Sequence, residues 1–164
     1  MFYNAEHNQY VTEGTAFTLG DIAYPANWLN NATADEKAAA GLVEVTVVGA
    51  PGDDRYYWVS ETLDGPVLTY VNTPKDLDAL KTQQIDTVNR SAYSLLFASD
   101  WMVVREAEGG TPMADDWKAY RASVRSTANA ARAAIESASD VDALISVCHV
   151  EWPRDPNYQT PDGA

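Results

Sequence analysis

The hydrophobic period of this chain changes once, near residue 73. Before that point apolar residues fall in short β-branched or aromatic blocks: Leu42–Val48, Arg55–Glu61 and Val67–Val71. After it they recur every three or four residues: Leu77, Leu80, Ile85, Val88, Ala92, Leu95 and Leu96. A two-residue period places side chains on alternate faces of a strand, and a period near 3.6 places them on one face of a helix. The switch predicts an α+β chain: a small N-terminal antiparallel β-module, then a C-terminal antiparallel α-helical hairpin. The expected divisions are residues 1–73, 74–151 and a flexible tail, 152–164.

Within the first division the expected order is two hairpins, a short helix and a three-stranded meander. Phe2-Tyr3 and Gln9–Thr12 flank a turn at His7-Asn8. Phe17, Leu19, Ile22 and Tyr24 flank Gly20-Asp21 and offer apolar faces to a core. Thr33-Ala34-Asp35-Glu36 reads as a capping box opening a helix over 33–40, closed by Gly41 in the left-handed conformation. The three later blocks, separated by turns at 50–54 and 63–66, predict the meander.

In the second division Thr73-Pro74 reads as a helix start, with the helix over 75–97. Ser99-Asp100 opens a shorter element through Glu108, ended by Gly109-Gly110, where Val103-Val104 leaves helix and strand both open. Thr111-Pro112 repeats the start signal before a helix whose stripe is Trp117, Tyr120, Val124, Ala131, Ile135 and Ala138. Arg121, Arg125 and Arg132 flank it. Nine alanines between 114 and 138 raise helix propensity and allow a neighbour to approach closely. A last helix is expected over 140–147.

Charge narrows the partners. The net charge is −13 and the pI about 4.3. Residues 1–74 hold two basic side chains, Lys37 and Arg55, against ten acidic ones. Such a surface repels nucleic acid and anionic membranes. No apolar run reaches the ~20 residues that span a bilayer, and the N-terminus lacks signal-peptide character. The single Cys148 precludes an intrachain disulfide and reads as a small buried hydrophobe, so a soluble, reduced setting is expected.

Enzymatic signatures are missing. His7 and His149 lie far apart and neither has ligand spacing to another His or Cys, so no metal is expected. No serine or Cys148 sits in a nucleophile elbow. Asp53-Asp54 and Asp115-Asp116 read as turn and helix-start residues, and Gly109-Gly110 lacks the lysine of a phosphate loop. The expectation is a non-enzymatic binding module with no cofactor. The candidate partner contacts are Arg105, Arg121, Arg125, Trp101 and Tyr57. Internal pairing of the arginines with Glu106 or Glu108 is the alternative. Two amphipathic helices either bury each other or leave a stripe open to a partner helix.

Ser99-Asp100-Trp101-Met102-Val103-Val104-Arg105, Glu106-x-x-Gly109, Pro112-Met113, Trp117-x-x-Tyr120-Arg121 and Val124-Arg125 resemble the C-terminal helical domain of tailed-bacteriophage proteins. Tail-fibre assembly proteins and small tail proteins encoded beside fibre genes are of this kind. Residues 24–29, 36–37 and 41–45 resemble the β-module that heads them. The resemblance implies a phage tail accessory protein that binds a tail-fibre or receptor-binding protein and assists its folding, assembly or attachment as a chaperone. It also leaves a structural subunit of the virion tail, baseplate or fibre, and a cell-wall-acting enzyme as the remote case. A homo-oligomer is compatible with each. The implied location is the host cytoplasm during assembly, or the virion tail.

Overall fold

A computed structural model describes residues 1–157 and has an α+β fold, with N-terminal antiparallel sheets followed by C-terminal helices. The chain divides into two compact units, Met1–Thr73 and Pro74–Ala164.

In the first unit, β1 (Phe2–Asn4) and β2 (Gln9–Val11) form a hairpin, and β3 (Phe17–Leu19) and β4 (Ile22–Tyr24) form a second. Two short helices follow, α1 (Trp28–Asn31) and α2 (Ala34–Ala39). The capping box forms as expected: the Thr33 N–H donates to Glu36 Oε2 at 2.8 Å and the Glu36 N–H donates to Thr33 Oγ1 at 3.3 Å. Gly41 closes α2 at φ +68°, and a Cβ there would meet Asn4 Nδ2 at 2.9 Å. That amide is buried and donates to Ala40 O at 2.9 Å, tying the first hairpin to the end of α2.

The core of this unit is Phe2, Val11, Phe17, Leu19, Leu29 and Leu42. Tyr24 stacks on Phe17 with ring centres 4.8 Å apart, and Trp28 meets Tyr24 edge-on at 4.6 Å. Ile22, expected beside them, points outward at 60% exposure. Its hairpin position opposite Leu19 follows a two-residue turn, where little covers the side chain.

The expected meander is not the topology. The apolar run 42–48 breaks into β5 (Leu42–Glu44) and β6 (Thr46–Val48). β5 pairs antiparallel with β1. At Val45 the N–H donates to Met1 O, and at Thr46 the N–H donates to Pro66 O, so the chain changes partner within one residue. β6 then runs parallel to β8 (Val67–Pro74), which lies between β6 and β7 (Tyr57–Asp64). The Asn72 amide holds the connecting loop by accepting from the Gly52 N–H at 2.8 Å and donating to Ala50 O at 2.9 Å.

In the second unit, α3 spans Leu77–Phe97, α4 Asp100–Ala107, α5 Asp115–Ser137 and α6 Val141–Val147. Two expected start signals are displaced. Thr73 and Pro74 end β8, and Asp76 caps α3 by accepting from the Ala79 N–H at 2.7 Å. Thr111-Pro112 stays in the loop before α5, because the Glu106 carboxylate takes the Met113 N–H at 3.2 Å and Met113 is buried. Asp140 caps α6 through the Ala143 N–H at 2.8 Å.

α3 and α5 are antiparallel. Lys81 donates to Glu136 O, Arg132 to Asn89 Oδ1 and Arg121 to Leu96 O, so one helix ascends as the other descends. Leu80 and Val88 of α3 and Tyr120, Val124, Ala128 and Ile135 of α5 are buried, joined by Val141 and Leu144 of α6. Trp117 is only half-buried, edge-on to Tyr120 at 5.7 Å. Cys148 is half-buried rather than buried. Trp152 and Pro153, expected to begin a loose tail, are half-buried too, with Trp152 beside Val88, Cys148 and Val150. The rest of that tail from residue 158 lies outside the described residues.

Candidate functional site: the helical elbow

α3 ends at Phe97, and α4 begins two residues after its cap Ala98. Val103-Val104 is helical: the Met102 N–H donates to Ser99 O to start the turn, and the Glu108 N–H donates back to Val104 O. Gly109 at φ +82° and Gly110 then reverse the chain. The Gly110 N–H donates to Arg105 O at 2.9 Å, and a Cβ at Gly110 would sit 2.9 Å from that same oxygen. No side chain fits there without moving backbone.

Arg121 is the staple of the elbow. It is 9% exposed, and its guanidinium donates to Leu96 O at 2.7 Å, Ser99 Oγ at 2.6 Å and Asp100 Oδ1 at 2.8 Å. Ser99 is fully buried and its hydroxyl donates in turn to Leu96 O at 3.0 Å. A planar guanidinium with five donors can serve three acceptors at once, which a lysine cannot do. Charge-assisted bonds of this kind fix the end of α3, the start of α4 and the second turn of α5 in one register. Arg121 was expected as a partner contact or as a mate of Glu106 or Glu108. Its carboxylate is Asp100, and three of its N–H groups are taken up by the elbow.

Glu106 serves a second tie. It accepts from Lys118 Nζ at 2.9 Å and from the Met113 N–H. The Lys118 bond, then the Met113 N–H, hold its carboxyl below the usual range, and Glu106 in turn raises Lys118. Burial, followed by the charge of Asp155, pushes the Tyr120 hydroxyl up.

Lys118, Arg121, Arg125 and Arg132 share one stripe of α5 at spacings of three, four and seven. Among the described residues Arg125 alone of the four makes no hydrogen bond or ion pair. It is exposed and borders two clefts. One, of about 250 Å³, is lined by Val103, Glu106, Met113, Lys118 and Arg121; the other, of about 360 Å³, includes Asn89, Tyr93, Leu96, Ala128 and Arg132. Arg105 donates from Nε to Thr111 O at 3.0 Å and lies over the Trp101 ring at 4.8 Å. Trp101 is 55% exposed. The elbow therefore brings Trp101, Arg105, Arg121 and Arg125 to neighbouring elements. Tyr57, half-buried at the start of β7, belongs to the other unit.

Sequence reasoning missed two aromatic residues. Tyr93 and Phe97 are exposed at 65% and 63%, with ring centres 5.7 Å apart. Their i, i+4 spacing off the Leu80–Val88–Leu95 stripe was the available signal. Val103 and Val104 are also exposed. Among the described residues no group of three or more His, Cys, Asp or Glu is placed to hold a metal ion, and no helix is long and apolar enough to cross a membrane. No family model, no curated protein and no solved structure matches the chain.

Proposed function

We propose that this chain is an accessory protein of bacteriophage tails that binds a tail-fibre or receptor-binding protein through its C-terminal helices and assists its folding, assembly or attachment. The observation that carries the reading is the exposed aromatic run Tyr93, Phe97 and Trp101, set on an elbow that Arg121 and Glu106 hold rigid. Large aromatic anchors on a rigid helical frame are the usual centre of a protein interface. Arg125 and the Trp101-stacked Arg105 give the patch a cationic border in an otherwise acidic chain. That border favours a partner with acidic side chains. The quoted motif residues support the same reading differently: they build the presenting frame, and the anchors lie beside them.

The test is co-expression with a candidate tail-fibre protein. Phe97→Ser with Trp101→Ser is expected to abolish co-purification while leaving the melting temperature within a degree or two of the parent. Co-purification unchanged by the pair would sink the reading. A second reading, a subunit resident in the tail or baseplate, draws on the sheet β6-β8-β7, in which no residue is buried. Mass spectrometry of purified virions separates the two: stoichiometric presence favours the resident subunit, and absence with fibre misfolding on gene deletion favours the chaperone.

A further inference from the structure

The groove between α3 and α5 has an apolar floor and a cationic rim. Ala92 and Leu96 of α3 are half-buried in it, Ala128 of α5 is buried, and Tyr93 stands exposed at its side. The cleft they line is the one of about 360 Å³, and its lining holds no carboxylate. The next acidic residues along the two helices are Asp86, three residues before Asn89, and Glu136, four after Arg132, both outside the lining.

Arg125 and Arg132 line the groove from α5. The chain has 24 acidic and 11 basic side chains, so a basic group has carboxylates in excess to meet. Arg55, Lys118 and Arg121 each meet one. Among the described residues Arg125 and Arg132 do not. Arg132 donates to Asn89 Oδ1 at 2.9 Å and to Asn129 Oδ1. Two neutral amides fix where its guanidinium sits and leave its charge uncompensated.

We propose that this groove takes an acidic amphipathic helix of a partner protein, with two carboxylates seven residues apart on Arg125 and Arg132 and apolar side chains between them on Ala92, Leu96 and Ala128. The proposal rests on the partner-binding reading above and names the chemistry of the segment that occupies the face. Spacing selects a helix. Seven residues of α5 separate the two arginines, about 10.5 Å at 1.5 Å per residue. A helix laid along α5 repeats that distance between its own residues i and i+7, on one face. An extended segment sets same-face side chains about 6.6 or 13 Å apart, either side of the required distance. The small side chains of Ala92 and Ala128 let the incoming helix lie close. Charge selects the partner. A guanidinium matches a carboxylate with two parallel hydrogen bonds. A second copy meeting this face with its own would set four guanidinium groups together, which repel.

The test is affinity selection on the whole chain from a displayed library of helix-forming peptides about 20 residues long, enough to hold a helix in water, randomised along one face. Selected peptides are expected to carry Asp or Glu seven residues apart with apolar residues between. Arg125→Glu removes no hydrogen bond or ion pair among the described residues. It should weaken the synthesised peptide about fivefold or more at low salt, and Lys in place of the facing peptide carboxylate should restore the affinity. An absence of selected peptides, peptides without that spacing, or binding indifferent to Arg125→Glu overturns the proposal. So does a mass above 17.9 kDa that Arg125→Glu returns to 17.9 kDa, because the face is then held by the acidic surface of a second copy. Failure of the peptide with co-purification still lost in Phe97→Ser with Trp101→Ser sinks the helix and leaves fibre binding standing. Peptide binding with co-purification unchanged in that pair sinks the fibre reading alone.

Discussion

Two sheets of the N-terminal unit share one apolar segment and treat it oppositely. Leu42, in β5, is buried at 5% exposure against β1 and the core. Val47 and Val48, a few residues on in β6, are exposed at 55% and 48%. Hydrophobicity does not separate them. Leu42 joins Phe2, Val11 and Leu29 in one core cluster, whereas every residue of β6 is exposed. Apolar side chains stabilise by the water they lose, so Leu42 contributes far more than Val47 or Val48, while Val43, on the outward face of β5, is 53% exposed like them.

The sharpest break of that contrast is at full burial. Leu29 is 0% exposed, and Leu29→Ala should destabilise by about 2–5 kcal/mol in urea unfolding. Val48→Ala should stay within about 0.5 kcal/mol. A comparable loss at Val48 would mean that the open sheet is covered under those conditions.

The helices repeat the comparison with side chains that differ in burial. Trp117→Ala should cost about half of the ~3–5 kcal/mol of a buried tryptophan, because the side chain is only half-buried. A loss at the full value would mean that the ring is fully covered in solution. Arg121→Leu should cost about 1–3 kcal/mol by removing the charge-assisted bonds to Leu96 O, Ser99 Oγ and Asp100, while the bond from the Ser99 hydroxyl to Leu96 O remains. Arg125→Ala, four residues away, should be within about 0.5 kcal/mol. Arg121→Lys should recover little of the loss, since an ammonium does not reach all three acceptors in a plane.

The smallest expected effect is on pH dependence. Glu106 is held low by Lys118 and the Met113 N–H, and Asp140 by the Ala143 N–H and Ser139. Folded values below unfolded ones mean that this stabilisation is present above the usual carboxylate range and is lost as pH falls through it. Thermal melts should shift downward on acidification, and Glu106→Gln should flatten the profile slightly. A melting temperature that rises on acidification would contradict the sign.

Part of this was legible in the residues. Thr33 to Glu36 forms its capping box, Asp140 starts α6, and the change of period gives strands and then helices, because caps and periods act over three or four residues. Thr73-Pro74 and Thr111-Pro112 have the same local grammar and fail, since a β-ladder and the Glu106 carboxylate claim those backbones instead. The candidate site was half legible. Trp101 and Arg125, expected as contacts, are exposed, and so are Tyr93 and Phe97, which lie off the apolar stripe that the period picks out.

By itself the sequence determined where strands and helices form, where several of them start, and that the surface is strongly acidic. Only the tertiary structure decided that 42–48 serves two sheets and that β6 runs parallel to β8. It also decided between Arg121 and Arg125, identical residues one helical turn apart on the same stripe. The first meets Leu96 O and Ser99 as α3 ends, and the second meets a cleft. Burial is a property of what another segment brings alongside, and no local pattern carries that information.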